Sequence, residues 1–207
     1  MNNDALVAHI ILASASPRRR ELLEQIGVRV LVQEIDIDES HKQGESVMAY
    51  VQRLAMEKAQ RGFKTISNKN NLPVLGSDTV VEVDGNILGK PKNRQQAKQM
   101  LQQLSAKKHK VHTSVAIVSR EMSIIDTSSS VVLFGTIEDN EIDRYVATGE
   151  SDDKAGSYAI QGIAAQFIRN INGSFSGVMG LPLYETAQLL KQCNVLPLER
   201  IHNSITE

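Results

Sequence analysis

The sequence is poor in several residue types that would each indicate a particular class of protein. Its single cysteine, Cys193, excludes an internal disulfide framework and fits a reducing compartment. It has no tryptophan, only 4% aromatic residues and a net charge of −1, which together disfavour a nucleic-acid-binding module. No apolar run approaches the ~18 residues of a membrane span, and the first residues do not resemble a signal peptide. We expect a cytoplasmic protein that binds neither nucleic acid nor a membrane.

Motifs of several common catalytic sites are also missing. The chain has no Gly-x-x-x-x-Gly-Lys-Ser/Thr phosphate loop and no cysteines or histidines at zinc-binding spacing. His109 and His112 are three residues apart in a predicted strand, so they lie on opposite faces and make a poor metal pair. What is present is an ordinary globular composition, 41% apolar and 23% charged over 207 residues, which is enough for one domain with a sizeable core.

Strand and helix patterns alternate along the chain, which predicts an α/β fold with a mixed, curved sheet and flanking helices. The predicted strands are residues 7–13, 28–33, 74–83, 110–118, 122–125 and 131–134, with a hairpin turn at Asp84-Gly85. The predicted helices begin at Ser16, near Ser46, at Asn93, at Glu138 and at Pro182. We further predict a polar loop at residues 68–71, strands and close turns at 149–180, and a loose tail after Leu196.

The first predicted helix begins with three consecutive arginines, residues 18–20, after a Ser16 cap and Pro17. A helix N-terminus carries partial positive charge, so a cation there typically costs ~0.3–1 kcal/mol. The repulsion between the arginines and the helix N-terminus is offset if the natural ligand bound there is an anion. First-turn N–H groups, the hydroxyls of Ser14 and Ser16 and the arginine side chains would then converge on phosphate. This segment therefore predicts a polyphosphate site.

Two acidic residues are candidates for acid–base or metal chemistry. Asp78 lies in an apolar strand, where a buried carboxylate is costly unless it meets a cation or hydrogen-bond donors. It is either a structural residue at a strand end or a general base or Mg²⁺ ligand. Glu39 ends the acidic segment 36–39, which is either a solvated loop or the source of a second hard oxygen ligand.

Two lysines and one glutamine are further candidates. Lys58 would be a routine surface residue on most helices, whereas Lys90 stands between glycine and proline, which fix the backbone that presents it. Gln161 is expected in an apolar strand, because Ile160 precedes it. Its amide either bonds to the backbone there or recognises the edge of a base through its donor and acceptor.

Four sequence blocks resemble the signature of the Maf family of nucleoside triphosphate pyrophosphatases. The blocks are residues 14–19 (SASPRR), 76–79 (GSDT) with 89–91 (GKP), 154–162 (KAGSYAIQG) and 180–186 (GLPLYET). Their order and spacing match from about residue 10 to residue 190. The chain departs from the family pattern at Ser151, where proline is usual, and at Ser130, where threonine is expected. Neither position lies in the proposed chemistry.

The resemblance implies an elongated, two-lobed α/β fold of the inosine-triphosphatase-like group, a single catalytic domain over residues 1–207 with the nucleotide in the cleft between the lobes. It implies hydrolysis of a nucleoside triphosphate to the monophosphate and pyrophosphate, with a divalent cation, Mg²⁺ or Mn²⁺. Asp78 matches the family's proton acceptor and Glu39 an acidic position of its site, and both would hold the metal. The positions that match the family's phosphate-binding residues are Arg18, Arg19, Lys58 and Lys90.

The resemblance also bears on substrate choice. Arg18, Thr79 and Gln161 match the dTTP/UTP branch of the family and not the 7-methyl-GTP branch, and a glutamine amide suits the C=O and N3–H edge of a pyrimidine. The implied role is house-cleaning of nucleotide pools, including modified pyrimidine nucleotides. The alternative is a non-catalytic nucleotide-binding protein that regulates septum formation, which would need the arginines but not Asp78 or Glu39. The sequence does not decide whether the chain forms a homodimer.

Overall fold

The structure is a computed structural model that describes residues 8–70 and 72–195, without the side chains of residues 66–70. The strands are β1 (Ile10–Leu12), β2 (Val30–Val32), β3 (Val74–Val83), β4 (Asn86–Leu88), β5 (Lys108–Val118), β6 (Ser123–Phe134) and β7 (Ile168–Asn172). The α-helices are α1 (Pro17–Gln25), α2 (Val47–Asn70), α3 (Arg94–Leu104), α4 (Asp139–Ala147), α5 (Phe175–Met179) and α6 (Leu183–Gln192). Two 3₁₀ helices cover Ala155–Ser157 and Ile163–Phe167.

The strands form one mixed sheet, which confirms the predicted fold class. Its order is β2-β1-β3-β5-β6-β7, with β4 paired to β3. β1 runs parallel to both β2 and β3, while β3 with β4 and β6 with β7 are antiparallel. Parallel neighbours need a crossover connection, and α1 and α2 supply the two that join these first three strands. None of the helices in the described ranges is long and apolar enough to cross a membrane.

The described residues divide into two compact units. The first comprises residues 8–70, 72–78, 114–127 and 180–195, and the second comprises residues 79–113 and 128–179. The main apolar cluster of the second unit packs α3 and α4 against the sheet through buried residues such as Leu101, Phe134 and Ile142. The division falls between Asp78 and Thr79 within β3. The expectation of a single catalytic domain with the nucleotide in a cleft stays a prediction.

Several local predictions are confirmed by the structure. β3 has the predicted bounds, and Asp84 and Gly85 turn into β4 with positive φ angles of 50° and 78°, as tight hairpin turns require. Asn93 caps α3 by accepting a hydrogen bond from the Gln96 N–H at 2.9 Å. The apolar residues of α3 are buried, namely Ala97, Met100, Leu101 and Leu104.

Other local predictions are wrong for identifiable reasons. Residues 68–70 continue α2 instead of forming a loop, because a polar run without glycine or proline can extend a helix. Residues 123–125 and 131–134 belong to one strand, β6, in which the intervening Thr127 and Ser129 bond across the sheet to β5. Ser114 and Thr127, for example, have hydroxyl oxygens 2.7 Å apart. The predicted tail after Leu196 lies outside the described residues.

The two histidines of β5 have separate surroundings, as their opposite faces predict. His109 is 2% exposed, with Nε2 lying 2.8 Å from the Tyr158 hydroxyl and its ring edge-on to Phe134. His112 instead contacts the Glu82 carboxylate at 2.9 Å and the Ser129 hydroxyl at 2.7 Å. His109 is therefore a core residue, and its protonation is costly because burial disfavours the charged form.

Lowering the pH should weaken the fold through His109. Burial lowers the pKa of this imidazole from 6.5 to about 4, so the unfolded chain binds the proton at a higher pH than the folded chain. Above pH 6.5 this difference in pKa contributes about 3 kcal/mol to the free energy of unfolding. That contribution is lost as the pH falls toward 4. Urea unfolding across this window should show a smaller loss in His109→Gln. The loss should be unchanged in the control His41→Gln, because His41 is exposed. If the wild type, His109→Gln and His41→Gln all lose the same stability over this pH range, the loss does not come from His109.

Candidate active site

The start of α1 has the predicted arrangement with one difference. Ser16 is the N-cap residue and Pro17 the first helical residue, as predicted, but the Ser16 hydroxyl makes no capping hydrogen bond within the described helix. The Ser16 N–H instead donates to Oγ of Ser14 at 3.2 Å. Ser14 is buried and also accepts from Nη1 of Arg19 at 3.1 Å. Ser14 thus orders both the turn before the helix and the arginine that follows it.

Arg19 links three of the four sequence blocks at one backbone atom. Its Nε donates to the Gly180 carbonyl at 2.8 Å, and Oγ of Ser77 donates to the same oxygen at 3.1 Å. Burial lowers the pKa of Arg19, and the Asp78 carboxylate opposes that shift. Because an arginine stays protonated throughout the ordinary pH range, this is a fixed positive charge held close to Asp78.

The other two arginines of the segment differ in their surroundings. Arg18 is half-buried, and its charge adds to the lowering of the Arg19 pKa, so the two cations lie close together. Arg20 is exposed and pairs with Glu24 one turn along the helix at 3.4 Å. Arg18 and Arg19 remain the candidates for phosphate binding, whereas Arg20 lies on the surface.

Lys58 joins the two acidic candidates. Its Nζ lies 2.7 Å from Oδ1 of Asp78 and 2.6 Å from Oε1 of Glu39. The side chains of Lys58 and Asp78 are each only 11% exposed, whereas that of Glu39 is 49% exposed. Lys58 is therefore not a routine surface lysine, and Asp78 is held by a charged donor, as the cost of burying a carboxylate requires.

A close approach between α2 and β3 makes this contact possible. A Cβ atom on Gly76 would lie 2.4 Å from the Ala55 carbonyl oxygen and 2.5 Å from the Ala59 backbone nitrogen. Only glycine fits there, and both alanines are fully buried against the strand. Lys58 precedes Ala59 on the helix, and Asp78 is two residues beyond Gly76 on the strand. The small residues thus bring the ammonium and the carboxylate together.

The loop that carries Glu39 is held by two residues of α2 that sequence reasoning missed. The Tyr50 hydroxyl donates to the Glu39 carbonyl at 2.8 Å, and Nη2 of Arg53 donates to the Ser40 carbonyl at 3.0 Å. Arg53 also forks onto Glu45 at 2.6 and 2.9 Å, which lowers the pKa of that carboxyl to about 2. The signal for this ion pair in the sequence was Glu45, which stands just before the helix, followed two turns later by Arg53.

The electrostatic setting of Asp78 suits a proton acceptor. Burial raises the pKa of its carboxyl above the ordinary 3.8, while Lys58 and Arg19 lower it and Glu39 raises it. Burial is the largest of these effects, so the carboxylate is a stronger base than an exposed aspartate. The two neighbouring cations favour its ionised form, which a general base needs.

The same carboxylates could hold a divalent cation. Within the described residues, no three His, Cys, Asp or Glu side chains are grouped as a metal site. Asp78 and Glu39 offer two carboxylates, with the Lys58 ammonium between them. Mg²⁺ is commonly bound by one or two carboxylates together with substrate phosphates, so this donor set fits a cation that arrives with a nucleotide.

Two of the remaining candidates lie in the second unit. Thr79 follows Asp78 on β3, and its hydroxyl oxygen lies 3.0 Å from that of Thr113, a fully buried residue that donates to the Gly177 carbonyl at 2.7 Å. Lys90 is exposed, and the carbonyl of the glycine before it accepts from the Gly156 N–H at 3.1 Å. This bond connects the Lys90 segment to the third sequence block.

Gln161 is placed differently from the prediction. It lies exposed in a turn, not in an apolar strand. The 3₁₀ helix that follows begins at Ile163, and the backbone N–H groups at its start donate to the Glu150 carboxylate, which a strand register would not allow. Buried Ile160 made the segment look like a strand, but it only anchors the turn. The Gln161 amide therefore faces solvent, where a ligand can reach it.

Comparison with known proteins identifies the family of the chain. Residues 9–193 match the family described as Maf-like protein. The chain is similar to the dTTP/UTP pyrophosphatase of Chromobacterium violaceum, at 47% identity over 88% of this chain and 93% of the relative. It is 48% identical to that of Aliivibrio fischeri, over 89% of this chain and 98% of the relative. It is 49% identical to the dTTP/UTP pyrophosphatase of Alkalilimnicola ehrlichii, over 90% of this chain and 94% of the relative. These matches show that the chain belongs to the Maf family.

Proposed function

We propose that this protein is a pyrophosphatase that hydrolyses dTTP and UTP to their monophosphates and pyrophosphate. The observation that carries the proposal is the buried Asp78 carboxylate, paired with Lys58 and close to the Arg19 charge. A base held among phosphate-binding cations is what attack by water on a phosphate requires. The names of relatives that are 47–49% identical support the pyrimidine substrates.

Phosphate binding falls to the cations and to the start of α1. Arg18, Arg19 and the first-turn N–H groups, with the hydroxyls of Ser14 and Ser16, bind the triphosphate oxygens. Two lysines, Lys58 and Lys90, add point charges that offset the negative charge developing on the leaving group. A nucleotide there also resolves the unfavourable placing of cations at a helix N-terminus.

The chemical step is assigned to Asp78. Its carboxylate takes a proton from a water molecule as the water oxygen bonds to the α-phosphorus. The bond from that phosphorus to the α,β-bridging oxygen breaks, and pyrophosphate leaves. Asp78 and Glu39 would hold a divalent cation, Mg²⁺ or Mn²⁺, which supplies further positive charge to the phosphates when bound. Lys58 keeps Asp78 ionised and in place before the nucleotide arrives.

Base selection is assigned to Arg18, Thr79 and Gln161. The exposed Gln161 amide offers one donor and one acceptor to the C=O and N3–H edge of a pyrimidine. A methylated guanine is a larger cation at neutral pH and would favour an acid and an aromatic face, which these three positions lack. We assign the protein a house-cleaning role in the cytoplasm, on these two nucleotides and on modified pyrimidine nucleotides.

A nucleotide panel tests the proposal. We expect kcat/KM for dTTP and UTP to exceed that for ATP, GTP and 7-methyl-GTP by ~10²-fold, since a site that hydrogen-bonds one base leaves its polar groups unpaired when another base binds. Release of pyrophosphate and monophosphate should be measured together, with Mg²⁺ or Mn²⁺ present. A purine preference would overturn the pyrimidine assignment alone. Nucleotide binding without pyrophosphate release would favour the alternative, a non-catalytic regulator of septum formation, although such a protein has no need of the Asp78–Lys58–Glu39 contact.

A further inference from the structure

Glu150 makes an unusual set of contacts for a loop carboxylate. Its Oε2 accepts from the Ile163 N–H at 2.9 Å, and its Oε1 accepts from the Ala164 N–H at 3.2 Å. The Tyr145 hydroxyl donates to Oε1 at 3.0 Å. Three donors thus converge on one carboxylate that reaches across 13 and 14 residues of chain to the two backbone groups.

These backbone groups are the first two N–H groups of the 3₁₀ helix Ile163–Phe167. Donors at the start of a helix lack partners within it, and the residue at the cap position, Gly162, has no side chain to supply one. Glu150 takes that role from outside the helix. Its charge strengthens both bonds, because a hydrogen bond to an ionised acceptor is about twice as strong as a neutral one.

The fit between Glu150 and the turn is close. A Cβ atom on Gly162 would lie 2.2 Å from Oε2 and 2.7 Å from Oε1 of Glu150. The carboxylate therefore occupies the space that any other residue at position 162 would need. The missing side chain at Gly162 is therefore what makes room for the Glu150 carboxylate beside the turn.

The turn held in this way carries Gln161. Ile160, buried at 4% exposure, anchors the chain before it, and the clamped Gly162–Ile163 backbone fixes the chain after it. The Gly162 N–H also closes the turn by donating to the Ala159 carbonyl at 3.1 Å. The Gln161 side chain is itself exposed, so its direction depends on how these contacts hold the backbone of the turn. Without the Glu150 bonds, the backbone on the 162–164 side could rotate and the amide would lose its fixed direction.

We propose that Glu150 is a positioning residue for base selection, which acts by clamping the turn that presents Gln161. The inference rests on the proposed function, in which Gln161 reads the pyrimidine edge. Glu150 contacts the backbone of the turn, so its proposed effect on the nucleotide passes through Gln161. Its removal should therefore change which base is preferred more than it changes the hydrolysis itself.

The test is a double-mutant cycle on the full chain. Glu150→Gln keeps the shape but offers only one acceptor oxygen to the two N–H groups. The ratio of kcat/KM for dTTP to that for GTP should fall about tenfold, mainly through KM for dTTP, because a small misplacement of a positioning group is enough for such a loss. In a Gln161→Ala background, the same substitution should leave the ratio unchanged, since the residue that it positions is gone.

Two further variants separate positioning from a general loss of stability. Tyr145→Phe removes one hydrogen bond to the same carboxylate but keeps both backbone bonds, so it should lower Tm without changing the ratio. Gly162→Ala pushes the carboxylate away from the other side and should reproduce the loss of preference, including when Glu150→Gln fails to fold.

The outcomes distinguish this inference from the proposed function. The positioning role is overturned if Glu150→Gln leaves the dTTP-to-GTP ratio of kcat/KM unchanged. It is also overturned if the substitution lowers that ratio equally in the wild-type and Gln161→Ala backgrounds. In both cases pyrimidine hydrolysis by the wild type stands. A wild-type protein that releases no pyrophosphate from dTTP or UTP overturns the proposed function, and the positioning role falls with it.

Discussion

Replacing Asp78 with asparagine should lower turnover at least ~10²-fold, the scale of a general base or metal-orienting carboxylate. The substitution keeps the shape of the side chain but removes the charge that accepts the proton. The fold should be as stable as the wild type or more stable, because burial raises the pKa of Asp78 and so makes its ionised form costly in the folded protein. Lys58 keeps Glu39 as a partner in the variant.

The measurements are single-turnover pyrophosphate release with dTTP and thermal unfolding without nucleotide. Asp36→Asn is a matched control in the same unit, since Asp36 is an exposed carboxylate in the acidic loop, and it should behave as the wild type. Turnover near the wild-type rate in Asp78→Asn would remove the proposed base. A large fall in Tm would instead assign Asp78 a structural role, which is the other reading of a carboxylate in an apolar strand.

The sequence predicted the elements whose signals are local. The alternation of strands and helices, the bounds of β3, its Asp84-Gly85 turn and the Asn93 cap each depend on a few consecutive residues. The joining of residues 123–134 into one strand depended on pairing across the sheet, which single-sequence periodicity does not contain. The same limit explains Gln161, whose turn is fixed by the distant Glu150.

The candidate site was predictable in its residue types and not in its contacts. A buried Asp78 and the cations of α1 could be singled out from cost arguments alone. That Lys58 bridges Asp78 and Glu39 depends on how α2 packs on β3, over a separation of 20 residues between Lys58 and Asp78. Of the residues that position others, Tyr50 carries no chemical signature of its own, and Arg53 is indicated only by the glutamate two turns before it.

The packing of α2 on β3 leads to the second large effect, that of Gly76→Ala. The added Cβ would lie 2.4 Å from the Ala55 carbonyl oxygen and 2.5 Å from the Ala59 nitrogen, and backbone atoms cannot turn aside as a flexible side chain can. Either the helix or the strand must shift. We expect a loss of about 3 kcal/mol of stability, the upper end of the usual cost of overpacking. Because Lys58 and Asp78 lie on the two displaced elements, turnover should also fall ~10²-fold, as a displacement near 1 Å can cause.

Gly135→Ala is the matched control for this substitution. The atoms nearest to its new Cβ would be those of the Arg169 side chain and the Phe167 carbonyl, at 3.7 Å or more, so stability should stay within ~0.5 kcal/mol of the wild type. Urea unfolding and pyrophosphate release should be measured on both variants. If Gly76→Ala loses stability but keeps turnover, the contact between Lys58 and Asp78 survives the displacement, and the small residues serve packing alone. If it loses both, the close approach of helix and strand is what places the ammonium against the carboxylate.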